Sequence, residues 1–435
     1  MSTRATKVAA LGAVAAMAIG LAACNNTATQ TATETTTDVV EITYVHRLPD
    51  GDGAVKVQEI ADRWNAEHPN IHVTATKWDG KASELAKKLE ADVKAGTAPC
   101  LAQLGYAEVP EAFVKGLVED VTTEAEKYKD NYSGAYGQMS VGGVVVGLPQ
   151  DTGPLVYYYD KAEFDALGLK VPTTLAELKE EATKAAAQGK HILAFETDES
   201  SHFLAAQAAA VGDPWYSAEG DQWKVNVQNE GAEVVSAFWQ EMIDSGAALV
   251  TERWTESYDQ ALKDKKLIGN IGAAWEAGFF LDSIIPEDQE GTWQVALLPD
   301  FGEGVKTGPD GGSGVAVMKG CAHVAEAMEF NNWFNTQTAD LATQGLVVAA
   351  KGDVVTPEKT KRQFGGQDVF AVLADANQTL NPDFGFIPGF SAVAEKMVAV
   401  GGEVGQGNAK VADIFAAAQT ESVSVLKSLN LPVAE

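Results

Sequence analysis

The sequence is poor in the residues that hold metal ions. Its 435 residues include only 3 cysteines and 6 histidines, and no CxxC pair or Cys/His cluster occurs among them. A structural zinc site is therefore not expected. The GxSxG, HExxH and P-loop motifs are also absent, so the sequence lacks three common patterns of hydrolysis and nucleotide binding. We predict neither a metal site nor a cofactor.

Positive charge is scarce as well. The chain has 32 lysines and arginines against 61 acidic residues, which gives a formal net charge of -29. Nucleic-acid binding needs basic patches, and anionic lipid attracts clusters of lysine and arginine, so both kinds of partner are disfavoured. The acidity suits a neutral or cationic solute, although solubility alone is a sufficient explanation for it.

An apolar run at 8–20 lies near the N-terminus, after Arg4 and Lys7. It is shorter than the roughly 20 residues of a membrane span and is typical of a secretory signal peptide. The following Leu21-Ala22-Ala23-Cys24 resembles a bacterial lipobox, which implies cleavage before Cys24 and a lipid on its thiol. The alternative is an ordinary signal with an incidental cysteine.

We therefore predict a lipoprotein signal peptide at 1–23 and a flexible tether at 24–39. Residues 25–38 are mostly Thr, Ala and Asn, and such a segment buries too little surface to offset the entropy of ordering. Removal of Arg4 and Lys7 with the signal changes the charge from -29 to -31. The mature protein is expected to be secreted and anchored by Cys24 to the outer face of the cytoplasmic membrane.

A chain of 435 residues is too long for one ordinary hydrophobic core, so its length predicts two domains. Alternating apolar residues predict strands at 41–45, 71–75 and 100–104, and helical spacing predicts helices at 55–68 and 81–95. Strands and helices in alternation favour an α/β domain with a mainly parallel sheet. Ligands of such sheets bind at the carboxyl ends of the strands.

A second α/β body is predicted to follow, to about residue 299. It begins with apolar runs at 144–149 and 155–159, and Thr174 is placed to cap a helix with Glu177 as its capping-box partner. A glycine-rich stretch at 302–314 then leads into a strand at 315–318, and the rest of the chain is predicted to be largely helical.

Several segments of the sequence resemble those of a known protein family. Residues 150–161, QDTGPLVYYYDK, are similar to the PxDxGxxxLYYNKDLF segment of extracellular solute-binding protein family 1, the maltodextrin-binding-protein-like lipoproteins of ABC transporters. Further similarity covers 164–178, 271–275, 311–317 and 327–334. The sequence departs from the family at Asp160, where Asn is usual, and at Glu276, where many members have a Pro near the preceding Trp.

The resemblance implies a two-lobed, type II-like periplasmic-binding-protein fold, hinged, with a ligand cleft between the lobes. It implies an N-terminal lobe of 40–148 and 302–346 and a C-terminal lobe of 149–301 and 347–435. A monomer that delivers its ligand to the transmembrane subunits of an ABC permease is expected. Since the resemblance places the strand at 314–318 antiparallel to the third strand, it also implies a Cys100–Cys321 disulfide, with two buried thiols as the alternative.

The expected ligand is an oligosaccharide, which presents apolar C–H faces and edges crowded with hydroxyls. A site for it needs aromatic faces and planar polar groups. Residues of these kinds follow the predicted strands or lie in the segments that resemble the family. The candidate ligand-binding residues are His46, Trp78, Asp79, Tyr106, Glu108, Asp151, Trp215, Trp275, Glu276, Gly312, Ser313 and Phe386.

Most candidates also have a structural interpretation. Trp275 matches the position where the family stacks a sugar ring, which is the preferred interpretation, with packing in the core as the alternative. Glu108 could begin the capping of a helix at Pro110, and a lone histidine such as His46 is often structural. Other tryptophans have apolar neighbours at helical or strand spacing and are expected in the core: Trp64, Trp239, Trp293 and Trp333.

Other functions remain open. Acidic residues beside tryptophan also occur in glycoside hydrolases, which need two carboxylates at a defined separation, but the resemblance covers about 40–430 and leaves no further catalytic domain, so no enzyme is expected. Tyr157-Tyr158-Tyr159 is similar to the paired tyrosines of ferric-ion binders. The acidity would also tolerate a polyamine.

Overall fold

The computed structural model describes residues 39–132, 134–212, 214–219, 222–302, 304, 306–381 and 384–434. The predicted signal peptide, Cys24 and all of the predicted tether except Val39 lie outside the described residues. From Val39 onward the chain forms one unit. Among the described residues, no helix combines the length and the apolar character that a membrane crossing requires.

The strands are short and are spread over the part of the chain from Val40 to Val348. They are β1 Val40–His46, β2 Ile71–Lys77, β3 Leu101–Gly105, β4 Ser140–Val141, β5 Val144–Val145, β6 Gly147–Thr152, β7 Leu155–Asp160, β8 Ala194–Glu196, β9 Tyr216–Glu219, β10 Gln222–Val225, β11 Leu249–Thr251, β12 Gly269–Ala273, β13 Trp293–Leu297, β14 Ser313–Val317 and β15 Val347–Val348.

Helices separate the strands and make up most of the C-terminal part. They are α1 Val57–Glu67, α2 Ala82–Ala95, α3 Val109–Val114, α4 Thr122–Glu126, α5 Lys161–Leu167, α6 Leu175–Ala186, α7 His202–Val211, α8 Glu230–Asp244, α9 Glu256–Lys263, α10 Val324–Asn335, α11 Thr338–Thr343, α12 Glu358–Gln363, α13 Val369–Gln378, α14 Phe390–Gly405 and α15 Val411–Ser428, with 3-10 helices at Lys129–Asn131, Gly134–Met139 and Ala274–Gly278.

The first lobe is built on a six-stranded sheet in the order β15-β6-β14-β3-β1-β2. Strand β1 pairs in parallel with β2 and β3, as the alternation of strands and helices predicts. Strand β14 returns from far along the chain and pairs antiparallel with both β3 and β6. The five predicted elements from β1 to β3 agree with the structure to within two residues at each end.

The second lobe contains an antiparallel sheet, β12-β7-β13, and a separate parallel pair, β11-β8. Strand β7 is buried along its whole length. The hydroxyls of Tyr157, Tyr158 and Tyr159 donate hydrogen bonds to Ile192 O (3.1 Å), Ala273 O (2.8 Å) and Gln294 Oε1 (2.9 Å). These tyrosines are therefore packing residues of a central strand, which removes the resemblance to ferric-ion ligands.

The chain passes between the two sheets three times: from β6 to β7, from β13 to β14, and after β15. The predicted boundary at 148/149 lies inside β6, because this strand stays in the first sheet to Thr152, where it pairs with β15. The predicted boundary at 346/347 lies just before β15, which also belongs to the first sheet because it pairs with β6.

Local sequence signals explain some element ends and miss others. Thr174 caps α6, since its hydroxyl accepts a hydrogen bond from Glu177 N at 3.2 Å. The Glu177 carboxylate, however, accepts from Thr173 N at 2.8 Å instead of returning to Thr174, so the predicted reciprocal box is displaced by one residue. The apolar run at 144–149 divides into β5 and the start of β6.

The structure contains the Cys100–Cys321 disulfide that the resemblance implied, with a Cα–Cα distance of 4.7 Å. Cys100 directly precedes β3, and its carbonyl accepts a hydrogen bond at 2.9 Å from Met318 N, just after β14. Antiparallel neighbours place the start of one strand beside the end of the other, so the β3–β14 pairing brings the two cysteines together.

Removal of this disulfide should destabilise the fold. The bridge closes a chain segment of 221 residues, and the chain-entropy account of so long a loop gives about 5.4 kcal/mol. Thermal unfolding of Cys100→Ala/Cys321→Ala, against untreated and dithiothreitol-treated wild type, measures the effect. Two free thiols in the native protein, or a melting temperature insensitive to reductant, would contradict it.

Candidate ligand-binding cleft

A cleft of about 670 Å³ lies between the lobes and is lined by residues of both. The first lobe contributes the ends of β3, β6 and β14. The second lobe contributes the segments after β8 and β12 and the start of α14. The predicted site residues that line the cleft are Tyr106, Glu108, Asp151, Trp275, Gly312, Ser313 and Phe386.

His46, Trp78 and Asp79 do not line the cleft. His46 is 2% exposed because it ends β1 on the same face as Tyr44, whose ring centroid is 5.6 Å from its own, and burial lowers the pKa of His46 to about 4. The Trp78 indole folds back and donates to Lys81 O at 3.3 Å. Asp79 points to solvent beside Lys77.

Trp215 and Glu276 are also withdrawn from the cleft. Trp215 is fully buried and packs against Phe384 and Phe415 in the second-lobe core, so its loop-like sequence context was misleading. Glu276 is buried beneath the cleft wall and pairs with Arg253. Neither residue lines the cleft.

The first-lobe wall depends on a close approach between backbone and an aromatic ring. The Tyr106 hydroxyl donates to Asp151 O at 2.7 Å, and its backbone N–H donates to Gly312 O at 3.2 Å. A Cβ on Gly312 would lie 2.8 Å from the Tyr106 ring, and Gly312 has a φ of +87°. Both observations require glycine at this position.

A chain of hydrogen bonds crosses the base of the first-lobe wall. Arg47 N donates to Gln103 Oε1 at 2.6 Å, and Gln103 Nε2 donates to Ser313 Oγ at 2.8 Å. The Ser313 hydroxyl in turn donates to Asp151 Oδ1. Burial raises the pKa of Asp151 to about 6 although the Ser313 bonds oppose this shift. The chain fixes the orientation of the Asp151 carboxyl toward the cleft.

Trp275 forms the aromatic part of the opposite wall. Its indole N–H donates to Asp310 O at 2.8 Å, and its ring lies 5.7 Å from that of Phe279, at an interplanar angle of 31°. The N–H is thereby satisfied, so the orientation of the half-buried ring is fixed without a ligand. Gly311 lies against the Trp275 indole. It has a φ of +81°, and a Cβ there would lie 3.1 Å from Trp275 Nε1, so a larger residue would crowd the ring.

A buried arginine holds the second-lobe wall together. Arg253 is 4% exposed and forms ion pairs with Glu196, at 2.5 Å, and with Glu276. Its backbone N–H donates to Asp198 Oδ1 at 2.7 Å. Glu276 also accepts from Ala273 N at 3.0 Å and so fixes the turn that carries Trp275. Arg253 thus joins the segments after β8 and β12.

Several carboxyl groups around the cleft are shifted toward the neutral form. Burial raises the pKa of Glu199 to about 7 and that of Asp310 well above its usual value. Burial also raises the pKa of Glu108, although Arg47, 3.5 Å away, opposes the shift. Neutral carboxyls can donate as well as accept hydrogen bonds, which suits a ligand rich in hydroxyls.

His202 forms an apolar corner of the cleft with two phenylalanines. Its ring centroid lies 5.8 Å from that of Phe386 and 5.4 Å from that of Phe390. Burial lowers the pKa of His202 to about 4, so the ring is neutral at ordinary pH. The corner therefore adds an apolar contact surface and no positive charge.

Sequence reasoning missed several cleft residues, which lie after short strands, in irregular segments, at helix starts or, for Gln103, inside β3. Position after a strand end was a usable signal for Arg47, Asp198 and Glu199, whereas nothing in the sequence pointed to Phe279 or Asp310. The missed residues include Arg47, Gln103, Asp198, Glu199, His202, Phe279, Asp310 and Phe390. No group of residues suited to hold a metal ion occurs among the described residues.

Comparisons with known proteins all identify solute-binding proteins. The model of the family described as bacterial extracellular solute-binding protein matches residues 50–341. The galacto-N-biose/lacto-N-biose I-binding protein of an ABC transporter from Bifidobacterium longum, solved with lacto-N-biose, is 50% identical, with a TM-score of 0.87 over 91% of this chain and 99% of that one. These likenesses confirm the predicted two-lobed periplasmic-binding-protein fold.

Two more distant relatives are also binding proteins for sugars. An ABC-transporter-associated binding protein from B. animalis subsp. lactis, solved with β-1,6-galactobiose, is 23% identical, with a TM-score of 0.76 over 92% of this chain and all of that one. A multiple sugar-binding protein from Streptococcus mutans is 28% identical over 175 residues, and the chain spans 39% of that relative's length.

The variant Arg253→Met should lower the free energy of unfolding by about 3–5 kcal/mol, because it leaves Glu196 and Glu276 buried without their cation. Urea unfolding measures the loss. The triple variant Arg253→Met/Glu196→Gln/Glu276→Gln is the matched control and should recover most of it. The role assigned to Arg253 is wrong if the single variant is as stable as wild type.

Glu199→Gln should show a stability difference that depends on pH. The pKa of Glu199 rises from an ordinary 4.5 to about 7 on folding, so the native state binds more protons than the unfolded state between these values. Wild-type stability relative to the variant should thus fall by about 1–3 kcal/mol as pH rises from 4.5 to 7.

His46 and His202 shift in the opposite direction and stabilise the fold as pH rises through their range. Both histidines are present in wild type and in Glu199→Gln, so their contribution cancels in the difference between the two free energies of unfolding. Urea unfolding of both proteins at pH 4.5, 6 and 8 provides the test, and a difference independent of pH would contradict the prediction.

Proposed function

The chain belongs to the bacterial extracellular solute-binding protein family, and we propose that it is the substrate-binding lipoprotein of an ABC importer and captures a neutral oligosaccharide. The observation that carries the proposal is the pairing of a fixed aromatic face, Trp275, with hydrogen-bonding groups of the opposite lobe, Asp151 and Ser313, across one cleft. A sugar ring matches this arrangement, because its faces are apolar and its edges carry hydroxyls.

The proposed mechanism is capture without catalysis. The ligand bridges the two lobes and favours the closed form only to the extent that it binds that form better. The permease subunits would then recognise the closed protein. The relatives in these comparisons are binding proteins and not enzymes, which agrees with this role.

We propose that Glu108, Asp151, Ser313 and backbone at Gly312 bind the hydroxyl edges, and that Trp275, Tyr106 and Phe386 contact the ring faces. Glu276 acts indirectly in this scheme, by holding the turn that carries Trp275. The sequence predicted lobes of 40–148 with 302–346 and of 149–301 with 347–435. We propose to move these boundaries to the ends of β6, at Thr152, and of β15, at Val348, so that both strands belong to the first lobe.

The family is extracellular, and secretion follows from membership in it. We further propose that the mature protein is a monomer, anchored through a lipid on Cys24. The segment Leu21-Ala22-Ala23-Cys24 supports this anchor. Globomycin, an inhibitor of lipoprotein signal cleavage, would cause the uncleaved form to accumulate.

A polyamine is the second candidate ligand, because the carboxyls at the cleft outnumber the cationic side chains. The acidic residues there are Glu108, Asp151, Asp198, Glu199, Asp310 and Glu395, against Arg47 and Lys81. Burial weakens the attraction of such a group for cations, since the pKa of Asp151 rises to about 6 and that of Glu199 to about 7. The sugar therefore remains the preferred ligand.

A thermal-shift screen of the mature protein tests the proposal. Lacto-N-biose, β-1,6-galactobiose and maltose are the sugar probes, with spermidine and ferric citrate as controls. A ligand at 100 times its dissociation constant stabilises the fold by about 2.7 kcal/mol, so a sugar should raise the melting temperature. A shift with spermidine or iron alone would overturn the carbohydrate assignment, and new reducing ends during incubation would indicate an enzyme.

The variant Trp275→Ala should weaken binding of the sugar found in this screen by about 1–3 kcal/mol, because it removes the stacking face and its apolar burial. Titration calorimetry measures the loss. Trp275→Phe is the matched control and should retain part of the affinity. Unchanged affinity in the alanine variant would refute the role of Trp275.

A further inference from the structure

Trp254 combines two unusual features outside the cleft. Its side chain is 45% exposed, and its backbone has a φ of +56°. Bulky residues rarely occupy this left-handed region, where the side chain clashes with the following carbonyl. Glycine or asparagine would be more stable at this turn. Such strain persists where surrounding structure fixes it, and it is common at functional sites.

The neighbours of Trp254 hold the turn on both sides. On one side, Arg253 N donates to Asp198 Oδ1 at 2.7 Å. On the other, Thr255 caps α9 by accepting a hydrogen bond from Tyr258 N at 3.3 Å. The Arg253 guanidinium lies 4.5 Å from the centroid of the Trp254 ring. The ring is therefore positioned before any ligand arrives.

An unbroken series of aromatic rings links Trp254 to the cleft. The ring centroids of Trp254 and Phe279 are 5.5 Å apart, and those of Phe279 and Trp275 are 5.7 Å apart. Trp275 and Phe279 line the cleft, whereas Trp254 lies at the exposed end of the series. The aromatic surface thus continues from the binding cleft to the outside of the second lobe.

We propose that Trp254 is an outer subsite, which stacks a sugar ring of an oligosaccharide that extends out of the cleft. This inference rests on the proposed function. It predicts that the preferred ligands are neutral oligosaccharides longer than a disaccharide, since the inner rings occupy the cleft and a further ring reaches Trp254. A ring that only shielded Arg253 from water would contribute to stability and not to selection by chain length.

Calorimetric titration with lacto-N-biose, β-1,6-galactobiose, β-1,6-galactotriose and β-1,6-galactotetraose tests the subsite. For wild type, the triose or tetraose should bind about threefold to tenfold more tightly than the disaccharide of the same series, as expected for one additional stacked ring. The variants Trp254→Asn and Trp254→Gly remove the ring and suit the left-handed turn, so they should fold. Both should lose this increase, and Trp254→Phe should retain part of it.

The outcomes separate the two proposals. If no sugar binds to wild type, the proposed function fails and the subsite fails with it. If the disaccharides bind but longer chains bind no better, or if Trp254→Asn retains the increase, the subsite alone is refuted. An equal loss of affinity for all chain lengths would also refute it, because Trp254 would then act through Arg253 on the cleft itself.

Discussion

The placement of β14 between β3 and β6 is the constraint on which the rest of the structure depends. This strand arrives after the chain has completed most of the second lobe, and its antiparallel pairing with β3 and β6 ties the return segment to the first lobe. The same pairing brings Gly312 against Tyr106, Ser313 against Asp151, and Cys321 against Cys100. A single sheet register therefore creates the first-lobe wall of the cleft and the covalent bridge at the opposite end of the same strands.

The second-lobe wall is held by electrostatics instead of by a sheet. Its two lining segments follow β8 and β12, which belong to separate sheets. One buried arginine, Arg253, connects them through Glu196 and Glu276. One guanidinium faces two carboxylates in this arrangement, and burial raises the pKa of Glu276 to about 7. Such a network costs desolvation energy, and its benefit here is the fixed orientation of the turn that carries Trp275.

The acidity of the chain has a different meaning on the surface and in the cleft. Exposed carboxylates contribute solubility through the net charge of -29. Buried and half-buried carboxyls such as Asp151 and Glu199 lose part of their charge near neutral pH, because removal from water disfavours the ionised form. They then resemble amides in offering both donors and acceptors. The composition alone suits a neutral or a cationic ligand, whereas the burial of these groups favours a neutral one.

The sequence by itself determined the elements and the family. Local apolar periodicity placed β1, α1, β2, α2 and β3, and motif similarity identified the fold, the cleft residues Trp275 and Asp151 and the disulfide partners. Only the tertiary structure decided which loop residues face the ligand. Trp215 and Trp275 both follow turn-forming or glycine-containing segments, yet one is buried in the core and the other forms the cleft wall. The choice depends on contacts of Trp215 with Phe384 and Phe415 and of Trp275 with Asp310, which are distant in sequence. Local patterns carry no information about such long-range packing.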